Sequence, residues 1–195
     1  MNIKHIRKIA LLPLAAFMLT GSALLAGPVS PGVGPPDVQS ENQSSSTQAS
    51  QLLEEIQSIT RSLERDAGTL NSYRNKGLSW QSHAVQLNLA KQHINAIGDR
   101  LETLQQIQST AEPWQQDAIA AIVPVAVELA SRTTDAINHL NEYQSRLFVP
   151  AYTGHLSAIY ENANQMKESV DLHLDLASTQ DKLDRFEERV AVAES

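Results

Sequence analysis

The longest regular pattern in this chain lies between residues 119 and 147, where mostly apolar side chains recur at alternating intervals of three and four. The positions that share this spacing are Ile119, Ile122, Ala126, Leu129, Thr133, Ala136, Leu140, Tyr143 and Leu147. Only an α-helix places positions with this spacing on one side. At about 1.5 Å per residue the stripe is on the order of 40 Å long. It therefore needs partner helices of similar length to cover it.

Two helices are predicted before this one. The first begins near Thr47, and its stripe is interrupted by Asp66. Its apolar positions are Leu52, Ile56, Ile59, Leu63 and Leu70. It is predicted to stop at 75–77, with Gly77 in the left-handed conformation. Ser79 is a suitable N-cap for the second helix. The stripe of that second helix consists of Trp80, Ala84, Leu87, Ala90, Ile94, Ile97, Leu101, Leu104 and Ala111.

The third helix is predicted to run from Pro113, which suits the first helical position, to about Phe148. Pro124 removes one backbone donor inside it, and we expect a bend there because the stripe keeps its phase across the proline. Residues 150–154 are predicted to form the next turn, with Thr153 as the cap of the fourth helix.

The fourth helix carries two apolar stripes. The first consists of Leu156, Ile159, Ala163, Met166 and Val170, and the second of Leu172, Leu176, Leu183, Phe186 and Val190. The two stripes do not share one phase. We interpret the change as a stutter, or as a helix turned more fully toward its neighbours.

Short connections place consecutive helices antiparallel. The predicted fold is therefore all-α, an up-down-up-down antiparallel four-helix bundle with long helices that spans residues 48–193.

The N-terminal region has the pattern of an export signal. Lys4, Arg7 and Lys8 precede the apolar run 9–19, which is too short to cross a bilayer. We interpret residues 1–26 as a signal peptide, with cleavage expected after Ala23. The alternative is an uncut membrane anchor in which Leu24 and Leu25 extend the apolar run through residues 20–22. Residues 27–47 are rich in Pro, Ser and Gln and are predicted to form a disordered linker.

Composition narrows the possible functions. The 195-residue chain has no cysteine, which excludes disulfides, thiolate metal sites and cysteine nucleophiles. Its formal charge is −7, so binding to nucleic acid or to anionic lipid has no electrostatic basis. After signal removal we expect no stable membrane insertion, and we expect a periplasmic or secreted location in a bacterium.

One cluster of candidate metal ligands follows from the predicted register of the bundle. It brings His83, His139 and His155 toward one end, with Glu142 at about the same height. Three imidazoles and a carboxylate are suitable ligands for Zn²⁺, Cu²⁺ or a haem iron. Each histidine, however, lies next to a stripe position and not on one. A hydrogen-bonded or solvated aromatic cap is therefore the competing interpretation.

The sequence contains no phosphate-binding glycine-rich turn and no spacing that identifies a nucleophile and its base. We therefore predict no catalytic residues, no cofactor and no enzyme activity. The predicted function is that of an exported helical-bundle protein that acts through protein–protein contacts or self-association, as an adaptor, scaffold or chaperone-like protein. The alternative is a bundle that binds a small ligand, a metal or haem at its histidine-rich end. A sensory input bundle is a third class.

Overall fold

The structure is a computed structural model that describes the backbone of residues 38–193 and the side chains of residues 43–193. The predicted signal peptide, and the predicted linker as far as residue 37, lie outside the described residues. Four helices pack against each other around one apolar core. They are α1 (Val38–Ser72), α2 (Trp80–Ile107), α3 (Pro113–Glu142) and α4 (Pro150–Ala193), with short 3₁₀ turns at Tyr73–Asn75 and Gln108–Thr110. No strand occurs within this range, which confirms the all-α prediction.

The buried stripe of α1 follows a strict alternation of three and four residues. It consists of Ala49, Leu53, Ile56, Thr60, Leu63, Ala67 and Leu70, each at most 1% exposed. The predicted stripe was wrong at Leu52 and Ile59, which are half-buried beside it. It was also wrong at Asp66, which does not interrupt the core because Ala67 occupies the buried position. The predicted stripe contained larger apolar side chains, whereas the buried stripe includes small or polar residues that keep the spacing of three and four.

The start of α1 also differs from the prediction, since the helix begins at Val38 and not near Thr47. The described end of the predicted linker is therefore helical. Within this part of the helix, Ser46 contacts the start of α3. Ser46 donates a hydrogen bond from Oγ to Glu112 Oε1 at 2.6 Å, and its carbonyl accepts one from Gln115 Nε2 at 2.8 Å. Gln115 is fully buried although it is polar.

The boundaries between α3 and α4 correct another prediction. α3 ends at Glu142, and Tyr143 is its C-cap, 45% exposed. α4 begins at Pro150, so the residues predicted to form a turn, including Thr153, lie in its first turns. Proline suits a first helical position because its φ is already helical and its missing N–H would have no intrahelical partner.

Other predicted boundaries have mixed outcomes. Ser79 caps α2 by accepting a hydrogen bond from the Ser82 N–H, and Pro113 is the first residue of α3, as predicted. α3 continues through the exposed Pro124. The stop after α1 lies where expected, but Gly77 is not left-handed, because a 3₁₀ turn and an extended Lys76 end the helix instead.

Each helix packs mainly on two others: α1 on α2 and α4, and α3 on α2 and α4. Polar pairs flank the contact between α1 and α2. Glu55 binds Arg100 at 2.9 Å, and Asp66 binds His93 at 3.0 Å. As the residue number rises along α1, the number of its partner in α2 falls.

One carboxylate connects α1 to α4. Asp171 accepts hydrogen bonds from Gln57 at 2.7 Å and from Arg61 at 3.2 Å, and it lies 3.3 Å from Lys167. Burial alone would raise the pKa of Asp171. The hydrogen bonds from Gln57, Lys167 and Arg61, together with the charge of Arg61, outweigh burial and lower that pKa.

None of the helices described in residues 38–193 has the combination of length and apolar content that crossing a membrane requires.

We predict that Leu129→Ala lowers the free energy of unfolding by about 2–5 kcal/mol, because Leu129 is completely buried in α3 and its removal leaves a cavity. Val127→Ala is the matched control two residues away, since Val127 is 53% exposed. We expect the control to change stability by less than about 1 kcal/mol. Urea unfolding of both variants measures the difference, and equal losses would contradict the assigned core.

Candidate functional site

Five aromatic rings form a continuous row at one end of the bundle, which we name the ring row. In order they are Tyr73, His83, Tyr152, His139 and Tyr143, with successive centroids 5.0–5.5 Å apart. The rings come from the turn after α1, from α2, α4 and α3, and from the C-cap of α3. The ring row therefore connects α2, α3 and α4 with the turn after α1 at this end.

Tyr152 is the centre of the ring row and is completely buried. Its ring stacks on His139 with an angle of 25° between the planes, and its hydroxyl lies 3.0 Å from His83 Nδ1. Burial raises the pKa of the Tyr152 hydroxyl far above its ordinary value, so the phenol stays protonated.

His83 is 1% exposed, and its Nε2 has no hydrogen-bond partner within the described residues. In either neutral tautomer, Nδ1 can share one hydrogen bond with the Tyr152 hydroxyl. A protonated ring would carry a charge and two N–H groups, one of them unpaired in the core. Burial accordingly lowers the pKa of His83.

The other predicted ligands have separate environments. His139 Nε2 lies 3.1 Å from the carbonyl of Arg146, so it participates in closing the loop between α3 and α4. His155 is half-buried, and its Nδ1 has no partner within the described residues. Glu142 is exposed at the end of α3.

Across the described residues, no three His, Cys, Asp or Glu side chains are placed to hold a metal ion together. His83 and His139 meet through the ring of Tyr152 and not at a common ligand position. Metal binding by His83, His139, His155 and Glu142 thus stays a prediction of the sequence. The geometry itself is that of a hydrogen-bonded aromatic cap.

His83 was predicted to lie beside the α2 stripe, but it lies on the stripe. The buried positions His83, Leu87, Ala90 and Ile94 alternate by four, three and four, and Ala84 is only half-buried. The spacing alone could have identified this position. The predicted stripe contained the apolar Ala84 in place of the polar His83, so the buried position of His83 was missed.

Two surface depressions lie beside the start of α1, and both are open to solvent. Their walls are polar, formed by Gln43, Ser44, Ser46, Thr47, Gln48, Gln51, Thr110 and Glu112. A small-molecule site is typically a concave pocket with mostly apolar walls. Neither depression has that character.

Comparisons of the chain with protein-family models, with curated proteins and with solved structures found no match.

The second apolar stripe of α4 is exposed, and we name it the α4 stripe. Its members are Leu172 (56% exposed), Leu176 (57%), Leu183 (50%), Phe186 (57%) and Val190 (40%). By contrast, the first stripe of α4 is entirely buried, as predicted. Between the stripes the helix is continuous. A helix turned more fully toward its neighbours at this point does not fit Leu172 and Leu176, which are exposed, although Leu174 between them is half-buried against the core.

The change of face follows from helical geometry. At about 100° per residue, the α4 stripe is centred roughly 150° around the helix from the buried stripe. Val170 is the last buried member and Leu172 the first exposed one, so a step of two residues moves the apolar positions to the far side. From residue 178 to residue 193 every side chain is exposed.

Because the unfolded chain has an ordinary His83 pKa near 6.5 and the folded chain a lower one, we expect the free energy of unfolding to fall as the pH drops below about 6.5. The unfolded chain binds the proton first, so the loss continues until the pH reaches the folded pKa. Its slope is at most about 1.4 kcal/mol per pH unit. His83→Gln should remove this part of the pH dependence, whereas His173→Gln should keep it. Denaturant midpoints between pH 5 and 8 measure it, and coincident pH curves for wild type and His83→Gln would refute the assignment.

We expect Tyr152→Phe to lower the free energy of unfolding by roughly 1–3 kcal/mol, because it leaves His83 without its hydrogen bond inside the core. Tyr160→Phe is the control, since the half-buried Tyr160 hydroxyl has no hydrogen bond within the described residues. Thermal and urea unfolding of the two variants test this. A Tyr152→Phe protein as stable as the control would show that the hydroxyl bond contributes nothing.

Proposed function

We propose that this protein is an exported, non-catalytic helical bundle that acts through protein–protein contacts, as an adaptor, scaffold or chaperone-like protein of a bacterial envelope. The observation that carries the proposal is the α4 stripe, a row of large apolar side chains that no other described part of the chain covers. Contiguous exposed apolar surface of this kind marks interaction sites.

The proposed chain path is up-down-up-down. Polar pairs support it, because Gln57 in α1 binds Asp171, while Arg74 in the turn after α1 donates to Ser157, earlier in α4. On this path α3 and α4 run side by side from their shared loop, and α4 has 44 residues against 30 in α3. The C-terminal part of α4 then extends about 20 Å beyond the N-terminal end of α3.

This extension is suited to binding another helix. Its apolar side chains occupy one face, while the other positions from 178 to 193 are largely charged or polar. An amphipathic helix with one apolar face binds another helix or an apolar groove. A catalytic role would require convergent polar groups in a pocket, and the α4 stripe lies on an open helix surface.

Export is part of the proposal and is supported by the basic and then apolar pattern of residues 1–26. A formal charge of −7 disfavours binding to nucleic acid or to anionic lipid, so a protein is the partner class that fits.

A photo-crosslinking amino acid at Leu183 should attach to a protein partner in the cells that produce this chain, because Leu183 is half exposed on the α4 stripe. The same probe at Val127, which is equally exposed on α3 but outside the stripe, is the control and should give no specific product. Gel analysis of the crosslinked species makes the comparison. The proposal fails if Leu183 and Val127 behave alike.

A further inference from the structure

The α4 stripe has the register of a two-stranded coiled coil. Its positions are separated by four, three, four, three and four residues when Thr179 is included. This alternation over 172–190 is the heptad spacing of core positions a and d. The sequence at the stripe is Leu172, Leu176, Thr179, Leu183, Phe186 and Val190.

The flanking charges match a second copy of the same helix. In this register Lys182 occupies position g, and Glu187, five residues later, occupies position e. In a parallel, in-register pair, position g of one helix faces position e of the next heptad in the other helix. Lys182 of each copy would thus face Glu187 of the other, twice by symmetry. Both side chains are exposed, and neither forms an ion pair within residues 43–193.

Thr179 is compatible with a core position in such a pair. Its hydroxyl donates a hydrogen bond to the Asp175 carbonyl of its own helix at 2.8 Å. It therefore leaves no unpaired polar group in the proposed interface. In an aligned pair the two Thr179 side chains share one layer, and large apolar side chains fill the layers on both sides.

The position of the α4 stripe around the helix allows two bundles to pack through it without overlap. The α4 stripe lies roughly 150° around the helix from the buried stripe. A second copy would therefore pack on the side of α4 that faces away from its own bundle. The two bundles would lie on opposite outer sides of the helix pair and would not collide.

We propose that the partner of the α4 stripe is a second copy of this chain, joined as a parallel, in-register coiled coil over residues 172–190. This inference rests on the proposed function and specifies its partner. The interface is isologous, as in most symmetric homodimers.

Sedimentation of the full chain over a range of concentrations tests the dimer. The mass should rise from that of one chain, 21.4 kDa before signal removal, toward twice the single-chain value. Leu183→Asp with Phe186→Asp should leave a folded monomer, since both side chains are exposed and their replacement leaves the core intact. Val85→Asp with Val127→Asp is the matched control, because these valines are 62% and 53% exposed outside the stripe. The control should dimerise like wild type. A chain that stays monomeric up to about 100 µM, or a dimer that survives Leu183→Asp with Phe186→Asp, overturns the proposal.

Charge reversal tests the orientation. Lys182→Glu should weaken dimerisation by about tenfold, because it places two carboxylates opposite each other at two symmetric positions. Adding Glu187→Lys to Lys182→Glu should restore affinity to within about threefold of wild type. Absence of rescue overturns the parallel arrangement.

A single cysteine gives an independent measure of register, since the chain contains none of its own. Leu176→Cys should form an interchain disulfide on mild oxidation, because the two copies of a core position face each other in a parallel pair. Glu188→Cys, on the outer side of the helix, is the control and should not form one. A dimer in which Leu176→Cys stays reduced overturns the parallel register.

The Leu183 photo-probe separates failure of this inference from failure of the proposed function. Two differently tagged forms of the chain, expressed together, should crosslink to each other. If the chain is monomeric and the probe captures only a different protein, the second-copy inference fails and the contact function stands. If the chain is monomeric and the probe captures nothing, both fail.

Discussion

Burial of four stripes spaced by three and four residues is the constraint on which this structure depends. An isolated helix leaves its apolar stripe exposed to water. Each helix is therefore stable only where another helix covers its stripe. α1, α2 and α3 meet this condition over most of their length. α4 meets it as far as Val170 and then carries a second stripe on its other side. The same physical rule that assembles the bundle thus identifies a stripe that no other described helix covers.

Much of this arrangement was readable from spacing alone. All-α class, four packed helices and the buried first stripe of α4 follow from apolar periodicity and are present in the structure. Spacing indicates burial better than residue type does in this chain. Thr60 and His83 are polar but lie in phase with their stripes and are buried, whereas Leu52 and Ala84 are apolar, lie out of phase and are half-buried.

Other features could not be read from local sequence because they depend on contacts between helices. The N-terminal part of α1 is attached to the start of α3 through Ser46 and Gln115, which are distant along the chain. The ring row depends on how α2, α3 and α4 meet. The predicted helix register gave only its approximate position along the bundle axis. Whether the second stripe of α4 was covered also required the lengths of its neighbours. The spacing of Leu172 and Leu176 is equally compatible with a buried and with an exposed face.

The ring row and the α4 stripe divide the molecule into a closed end and an open one. At the closed end, His83 and Tyr152 join the helices through a buried hydrogen bond, and the phenol stays neutral. At the open end, sixteen successive residues of α4 are exposed, from residue 178 to residue 193. An isolated helix of that length is marginal in water. Amide hydrogen exchange along α4, measured at several protein concentrations, is therefore the most direct test of this account. It predicts slow, concentration-independent exchange from residue 156 to residue 170, and exchange from 178 to 190 that slows as concentration rises. Exchange from 178 to 190 that does not depend on concentration, or a first stripe that exchanges as fast as the second, would contradict it.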